Sequence, residues 1–343
     1  MKIIQRLLAL LCLLSPTTMA SESNDEAIKE MPNFQHKDWE LACDNTGTCR
    51  AAGYNPESEY ENLVSVMLTR KAGNKQKVSA EIQFRTTAYY GGDFCPREVY
   101  FVINRKGQGD IRLSKACTGK LNKKQTQALL NALKKVSVIK FGTKRDTFIL
   151  SDQGATAVLL KMDEYQKRVG KPSALIKKGK SKEAVLQPKA KPIITIPVMP
   201  KAKKHLTFGL LKSNLKKQLN KLPCDFVNKN TDIWAYALND KQSLLEIPCM
   251  MGAYNYSAYY VVVDKQLNEV QATVGEGNGY ENGIISGYWK GRGVGDCWAS
   301  VEYAWNGEKF VLSSDSYTGM CRGFAGGAWN LPSYVSEVKH SDK

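Results

Sequence analysis

The sequence predicts an α+β, β-dominated fold: two disulfide-stapled domains, each mostly antiparallel sheet with one or two packed helices. Three observations carry that expectation. Short runs rich in β-branched and aromatic residues recur between Gly/Asn turns along most of the chain, which is the pattern of hairpin-connected strands. Helical periodicity is confined to three stretches, each long enough for one packed helix. Of nine cysteines, eight fall four and four on either side of a Lys/Pro-rich stretch, an even count that suits disulfides in an oxidising compartment.

The chain opens on an export signal. Lys2 and Arg6 give a basic start, Leu7 to Leu14 an unbroken apolar run, and Thr18-Met19-Ala20 a small-residue cleavage site; together these make residues 1–20 a secretory signal peptide. Cys12 follows Leu11, where lipoprotein processing needs a small residue, so the expected product begins at about Ser21 and carries no lipid. No later segment approaches the roughly 20 apolar residues of a membrane helix, so no transmembrane segment is expected after cleavage. The implied location is the periplasm, where nucleic acid is not an expected partner.

The first domain is expected over 21–179. Trp39–Cys43 and Cys49–Tyr54 flank the turn Asp44-Asn45-Thr46-Gly47, and Leu63–Arg70 and Val78–Arg85 continue the strands. Glu98–Asn104 and Asp110–Leu113 flank Lys106-Gly107-Gln108-Gly109, another hairpin signal. Asn122 can cap a helix in which Ala128, Leu129, Ala132, Leu133 and Val136 share a face. A strand over Asp146–Leu150 leads to a second helix, Ala155–Val169, stopped by Gly170 with Pro172 beyond.

Residues 180–204 read as a linker. Pro188, Pro192, Pro197 and Pro200 forbid regular helix and the lysines repel one another, although Ile193-Ile194-Thr195-Ile196 is suited to docking as an edge strand. The last domain, 205–343, begins with an expected helix over Phe208–Leu222. Strands over Ala258–Asp264 and Glu269–Val274 follow, then a hairpin, Ala299–Trp305 and Lys309–Ser314, around Asn306-Gly307. Of the formal charge of +16, the signal carries +2, residues 21–179 +9, the linker +6 and the last domain −1. The basic character thus belongs to the first half and the linker.

Cys43, Cys49, Cys95, Cys117, Cys224, Cys249, Cys297 and Cys321 are all expected in disulfides. Sequence alone leaves the connectivity open; nearest neighbours within each half make the simplest pairing. Zinc is disfavoured, since no CxxC pair occurs and the histidines are only His36, His205 and His340. No metal or cofactor is expected.

Several stretches together resemble a known family. Phe34-Gln35-His36-Lys37-Asp38-Trp39, with Cys43, Cys49 and Arg50-Ala51, is similar to its opening. Leu150-Ser151-Asp152-Gln153-Gly154-Ala155-Thr156-Ala157, then Met162-Asp163-Glu164-Tyr165-Gln166-Lys167-Arg168-Val169-Gly170 and Ser173-Ala174-Leu175, resemble its mid-chain signature. Cys249 to Asn255, Gly291 to Cys297 and Cys321-Arg322-Gly323 complete it, with Trp298 standing where a small residue is the rule. The resemblance is to the YpfG-like family of exported Gram-negative proteins of unknown function. The first half is more loosely similar to invasion-associated locus B proteins. Both imply a periplasmic protein of two parts, and neither supplies a catalytic residue.

The remaining motifs argue against most chemistry. A Ser-His-Asp triad needs a histidine oriented by a carboxylate, and the three histidines flank domains or sit in the tail. Fully paired cysteines leave no thiolate nucleophile. Gly275 to Gly279 and Gly291 to Gly295 lack the GxGxxG spacing, and Gly179-Lys180-Ser181 has Ala174 where a P-loop needs its first glycine. Glu276, Glu281, Asp296 and Glu302 could converge as a glycosidase pair. Five of six tryptophans lie in the last domain, which suits either a β-rich core or an aromatic platform.

The expected binding surface is Tyr288, Trp289, Arg292, Asp296, Arg322 and Trp329. Alternating glycines let a partner approach the backbone there, and two guanidinium groups suit a carboxylate such as a peptide-stem end or a partner's acidic loop. The opposing account is that Arg292 pairs internally with Asp296. The function expected is a periplasmic binding or interaction protein without catalytic activity, its partner an envelope protein or a peptidoglycan-derived ligand. The alternatives are a cell-wall glycan hydrolase and a structural or stress-related envelope protein.

Overall fold

The computed structural model describes residues 33–86, 95–224 and 227–341; the expected signal peptide lies outside them. The described residues form several antiparallel sheets and three α-helices, with four disulfides. The β-dominated α+β expectation holds. The pairs are Cys43–Cys49, Cys95–Cys117, Cys224–Cys249 and Cys297–Cys321, nearest neighbours in each half.

In the first half a six-stranded sheet runs in the order Asn33–His36, Trp39–Cys43, Cys49–Tyr54, Asn62–Arg70, Ser79–Thr86 and Thr118–Lys120. A second sheet orders Thr147–Leu150, Ile139–Gly142, Glu98–Ile103 and Lys106–Arg112. Their facing side chains and two helices share one core. Phe101 stacks on Phe141 at 4.6 Å between centroids, and Phe84 meets Phe148 edge-on at 4.9 Å. Leu129, Val158, Leu159 and Met162 close the core from the helices. Each such buried side chain contributes about 1.5–3 kcal/mol relative to exposure.

Helix Lys123–Ala132 starts where its cap dictates: Asn122 Oδ1 accepts the Gln125 amide at 2.9 Å, and Gln125 Oε1 accepts the Asn122 amide at 3.0 Å. It stops at Leu133, so Val136, expected on the core face, is 88% exposed. Helix Ala155–Tyr165 also ends early. Gln166 to Arg168 leave the helix to serve buried polar contacts described below.

The second half holds two five-stranded meanders. One runs through Lys203–Thr207, Asp232–Ala237, Gln242–Met251, Tyr256–Asp264 and Val270–Gly277; the other through Gly279–Glu281, Ile284–Lys290, Trp298–Trp305, Phe310–Tyr317 and Leu331–Val335. The two-residue period of a strand divides the first meander's faces. Val261 and Val263 pack with Leu215 and Leu219 of helix Ser213–Leu219, while Tyr260 and Val262 pack with Ile285 and Trp305 of the second meander. The long helix expected over Phe208–Leu222 is instead a 3₁₀ turn, Phe208–Leu210, and that seven-residue helix. Leu211 and Lys212 between them are extended, and no side chain caps either piece.

Residues 180–204 touch both halves. Leu186 donates its amide to Gln166 O and accepts from the Gly73 amide, and Val185 is buried. Ile193–Ile196 pairs in parallel with Glu337–His340 and buries Ile194 and Ile196 with Ala304. No helix among the described residues is long and apolar enough to cross a membrane.

Candidate functional site

The segment Thr318–Trp329 joins the second half to the first. Met320, Phe324, Ala328 and Leu331 pack on Ala42, Ala52, Tyr54 and Leu63, which lie on the face of the six-stranded sheet opposite the main core. Trp329 Nε1 donates to Ser65 Oγ at 2.7 Å. Two backbone positions allow the approach. Gly319 has φ +89°, and a Cβ there would lie 2.1 Å from Tyr54 Oη; Gly323 has φ +82°, and its Cβ would lie 2.7 Å from Leu63 Cδ1.

Next to this seam the second meander's loop Gly291–Asp296 is fastened to Cys321 by the Cys297–Cys321 disulfide. Arg292 clasps Asp296 with two hydrogen bonds, Nε to Oδ1 at 2.7 Å and Nη2 to Oδ2, and Nη2 also reaches Cys321 O at 3.1 Å. Asp296 accepts the Gly323 amide at 2.7 Å. The Arg292 hydrogen bond, helped by that amide, holds the Asp296 carboxyl below the usual carboxylate range. Arg322 Nη2 donates to Asp38 Oδ1 at 2.9 Å across the seam. Its Nη1 is buried, and no hydrogen-bond acceptor among the described residues meets it.

Arg292, Cys321, Arg322 and Gly323 border a cleft of about 190 Å³, walled on the other side by Asn55, Glu57, Glu59, Tyr60 and Leu63 of the first half. Of the residues expected to bind ligand, the structure brings together Arg292, Asp296 and Arg322. Tyr288 and Trp289 lie on strand Ile284–Lys290, where Tyr288, 49% exposed, donates to Glu302 Oε1 at 3.0 Å. Trp329 serves the seam. None of these three aromatics lines the cleft. Asp38, which the sequence offered only as part of the family-like opening stretch, and Glu57 and Glu59 were not expected as site residues. They come from loops far along the chain from Arg322, and no spacing rule connects them.

Of the four carboxylates weighed as a hydrolase pair, two are engaged: Asp296 is ion-paired and Glu302 accepts from Tyr288. Glu59, on the cleft wall, accepts the Glu61 and Asn62 amides. Asp296 also lies within 4.8 Å of both sulfurs of Cys297 and Cys321. The disulfide leaves those sulfurs without thiolate character, so the trio does not fit a metal.

The architecture is that of a disulfide-stapled, β-rich protein whose two halves meet at a small charged cleft. The chain belongs to the family described as "Protein of unknown function (DUF1176)", whose model matches residues 33–336. It is similar to the "Uncharacterized protein YpfG" of Escherichia coli strain K12, 25% identical over 309 residues that cover 80% of this chain and 84% of the relative. No solved structure matches the chain.

Proposed function

We propose that this chain is a non-enzymatic binding protein of the bacterial periplasm, exported by its signal peptide, and that the cleft at Arg322 takes the carboxylate end of a small ligand or peptide. One observation carries the reading: a buried guanidinium nitrogen, Arg322 Nη1, that meets no acceptor among the described residues and belongs to a residue lining a cleft. A buried charged donor left unmet costs more than a neutral one, and a carboxylate oxygen is its natural complement. Arg292, its charge balanced by Asp296, lies beside it, and Glu57 and Glu59 stand ready to face a ligand ammonium across the gap. The pairing favours a zwitterion such as a free amino acid or a short unblocked peptide. Tyr288, Trp289 and Trp329 have no part in this site.

Calorimetry with D-alanyl-D-alanine, which carries both a free ammonium and a free carboxylate, and with its C-terminal amide tests the reading. The acid should bind and the amide should not. Arg322→Gln should weaken the acid by about tenfold or more, the range of a hydrogen bond to a charged group at ~1.5–3 kcal/mol. Equal binding of acid and amide would sink the assignment, as would a wild-type protein that binds neither.

A further inference from the structure

A larger concave surface lies elsewhere, wholly within the first half. A groove of about 900 Å³ runs between the loop Asn74–Ser79, helix Lys123–Ala132 and the loop Pro172–Lys178. Five exposed lysines border it, Lys75, Lys77, Lys123, Lys134 and Lys178, and no aspartate or glutamate does. Among the described residues none of the five forms an ion pair with a carboxylate, although other lysines of the chain do, such as Lys161 with Glu164. Leu121, Leu130 and Ala174 form an apolar backing.

The groove's loops are held by a buried polar network. Arg70 donates to Asp163 Oδ1 at 2.6 Å, to Gln166 Oε1 at 2.7 Å and to Ser173 O at 3.2 Å. Arg168 donates to Gly73 O at 2.6 Å and to Ser173 Oγ at 3.1 Å. Asp163 Oδ2 accepts the Leu175 and Ile176 amides at 2.7 and 2.9 Å. The stretch after helix Ala155–Tyr165 therefore ties both lysine-bearing loops to the sheet. Removing one member of such a network leaves a buried charge uncompensated, so the loops keep a fixed spacing.

Five like charges around one concavity repel each other unless something neutralises them. Burial and the nearby Lys178 already push the Lys134 ammonium below its ordinary value. Low-dielectric walls concentrate the field of such a ring. A single monoanion is too small to meet five lysines, and the arginine that lines the groove, Arg70, already engages Asp163, Gln166 and Ser173 with its fork. Lysines bind phosphate as mobile point charges. We propose that this groove is a binding site for a multiply phosphorylated ligand, distinct from the Arg322 cleft and independent of it.

The test uses the full chain after signal removal and inorganic tripolyphosphate as probe. Calorimetry should show binding that weakens steeply with added salt, as ion release requires. The triple variant Lys75→Gln, Lys77→Gln and Lys123→Gln should weaken binding at least about tenfold and reduce the salt slope. A control triple with the same change in net charge, Lys106→Gln, Lys115→Gln and Lys144→Gln, should weaken it less than about threefold. All six lysines are exposed, so both triples should keep the wild-type melting temperature. Equal losses in the two triples would reduce the effect to net charge and overturn the site. So would a wild type that ignores tripolyphosphate, or one that prefers short polyglutamate at matched charge. If phosphatidylglycerol-containing vesicles displace the probe and phosphatidylcholine vesicles do not, the phosphates are membrane-borne. If neither displaces it, the ligand is a soluble phosphorylated compound.

Discussion

Glu40 is a buried carboxyl at the seam between the halves, hydrogen-bonded by the Tyr54 hydroxyl and, at 2.8 Å, by the Met320 amide. Burial raises its pKa above the usual carboxylate value, and these hydrogen bonds only partly oppose the rise. A carboxyl with a raised folded pKa stabilises the protein below its unfolded pKa, and that contribution is lost as pH rises through the folded value. Asp296 has the opposite sign, because Arg292 lowers its pKa; its contribution is lost as pH falls through that lowered value. Glu40→Gln should remove the loss above the carboxylate range, so its melting temperature should gain on wild type across the pH window that opens above the ordinary value of 4.5. Two melting curves that stay parallel over that window would mean that Glu40 does not titrate abnormally. None of this was visible in the sequence, since Met320 lies 280 positions from Glu40. The Arg292–Asp296 pair, four residues apart, was legible because the contact is local.

At the scale of elements, legibility followed local pattern. The strands Trp39–Cys43 and Cys49–Tyr54 and the strand Ile193–Ile196 sit where β-branched runs and turn residues put them. The hairpin around Asn306-Gly307 also formed. Strand Gln242–Met251 escaped because Pro248 lies within it, and a proline demotes a strand in any sequence reading. The structure accommodates it at a bulge between Pro248 and Met250. The Arg322 cleft depends on one element above all, the loop closed by Cys297 and Cys321, 24 residues apart. The chain-entropy argument assigns such a crosslink ~3–4 kcal/mol. The double variant Cys297→Ala, Cys321→Ala should lose about that much in denaturant unfolding and should also lose carboxylate binding. A loss under about 1 kcal/mol would show that the seam, and not the disulfide, holds the loop.

For the whole molecule we propose domains over 21–179 and 205–343 joined by 180–204, with a joint that is more than a tether. Contacts cross between the halves at several separate places. Arg322 pairs with Asp38, Trp329 with Ser65, and Asn45 exchanges two hydrogen bonds with the Val335 backbone at 3.0 and 2.9 Å. The apolar cluster of Ala52, Tyr54, Leu63, Phe324 and Leu331 lies between them. The joining segment itself still exposes Lys180, Lys182 and Lys189 between its docked stretches, and exposed, irregular backbone is where proteases cut first. Brief trypsin treatment should therefore nick between Lys180 and Lys189 before anywhere else. The seam should then hold the two fragments together: they should co-elute in native size-exclusion chromatography and part only in denaturant. Cleavage first within Asn255–Ser314 would displace the proposed boundary. Fragments that separate under native conditions would mean that the seam does not hold without the covalent link. The Arg322 cleft, built from both halves, would then be open in solution, and tripolyphosphate binding by the first-half fragment alone would survive.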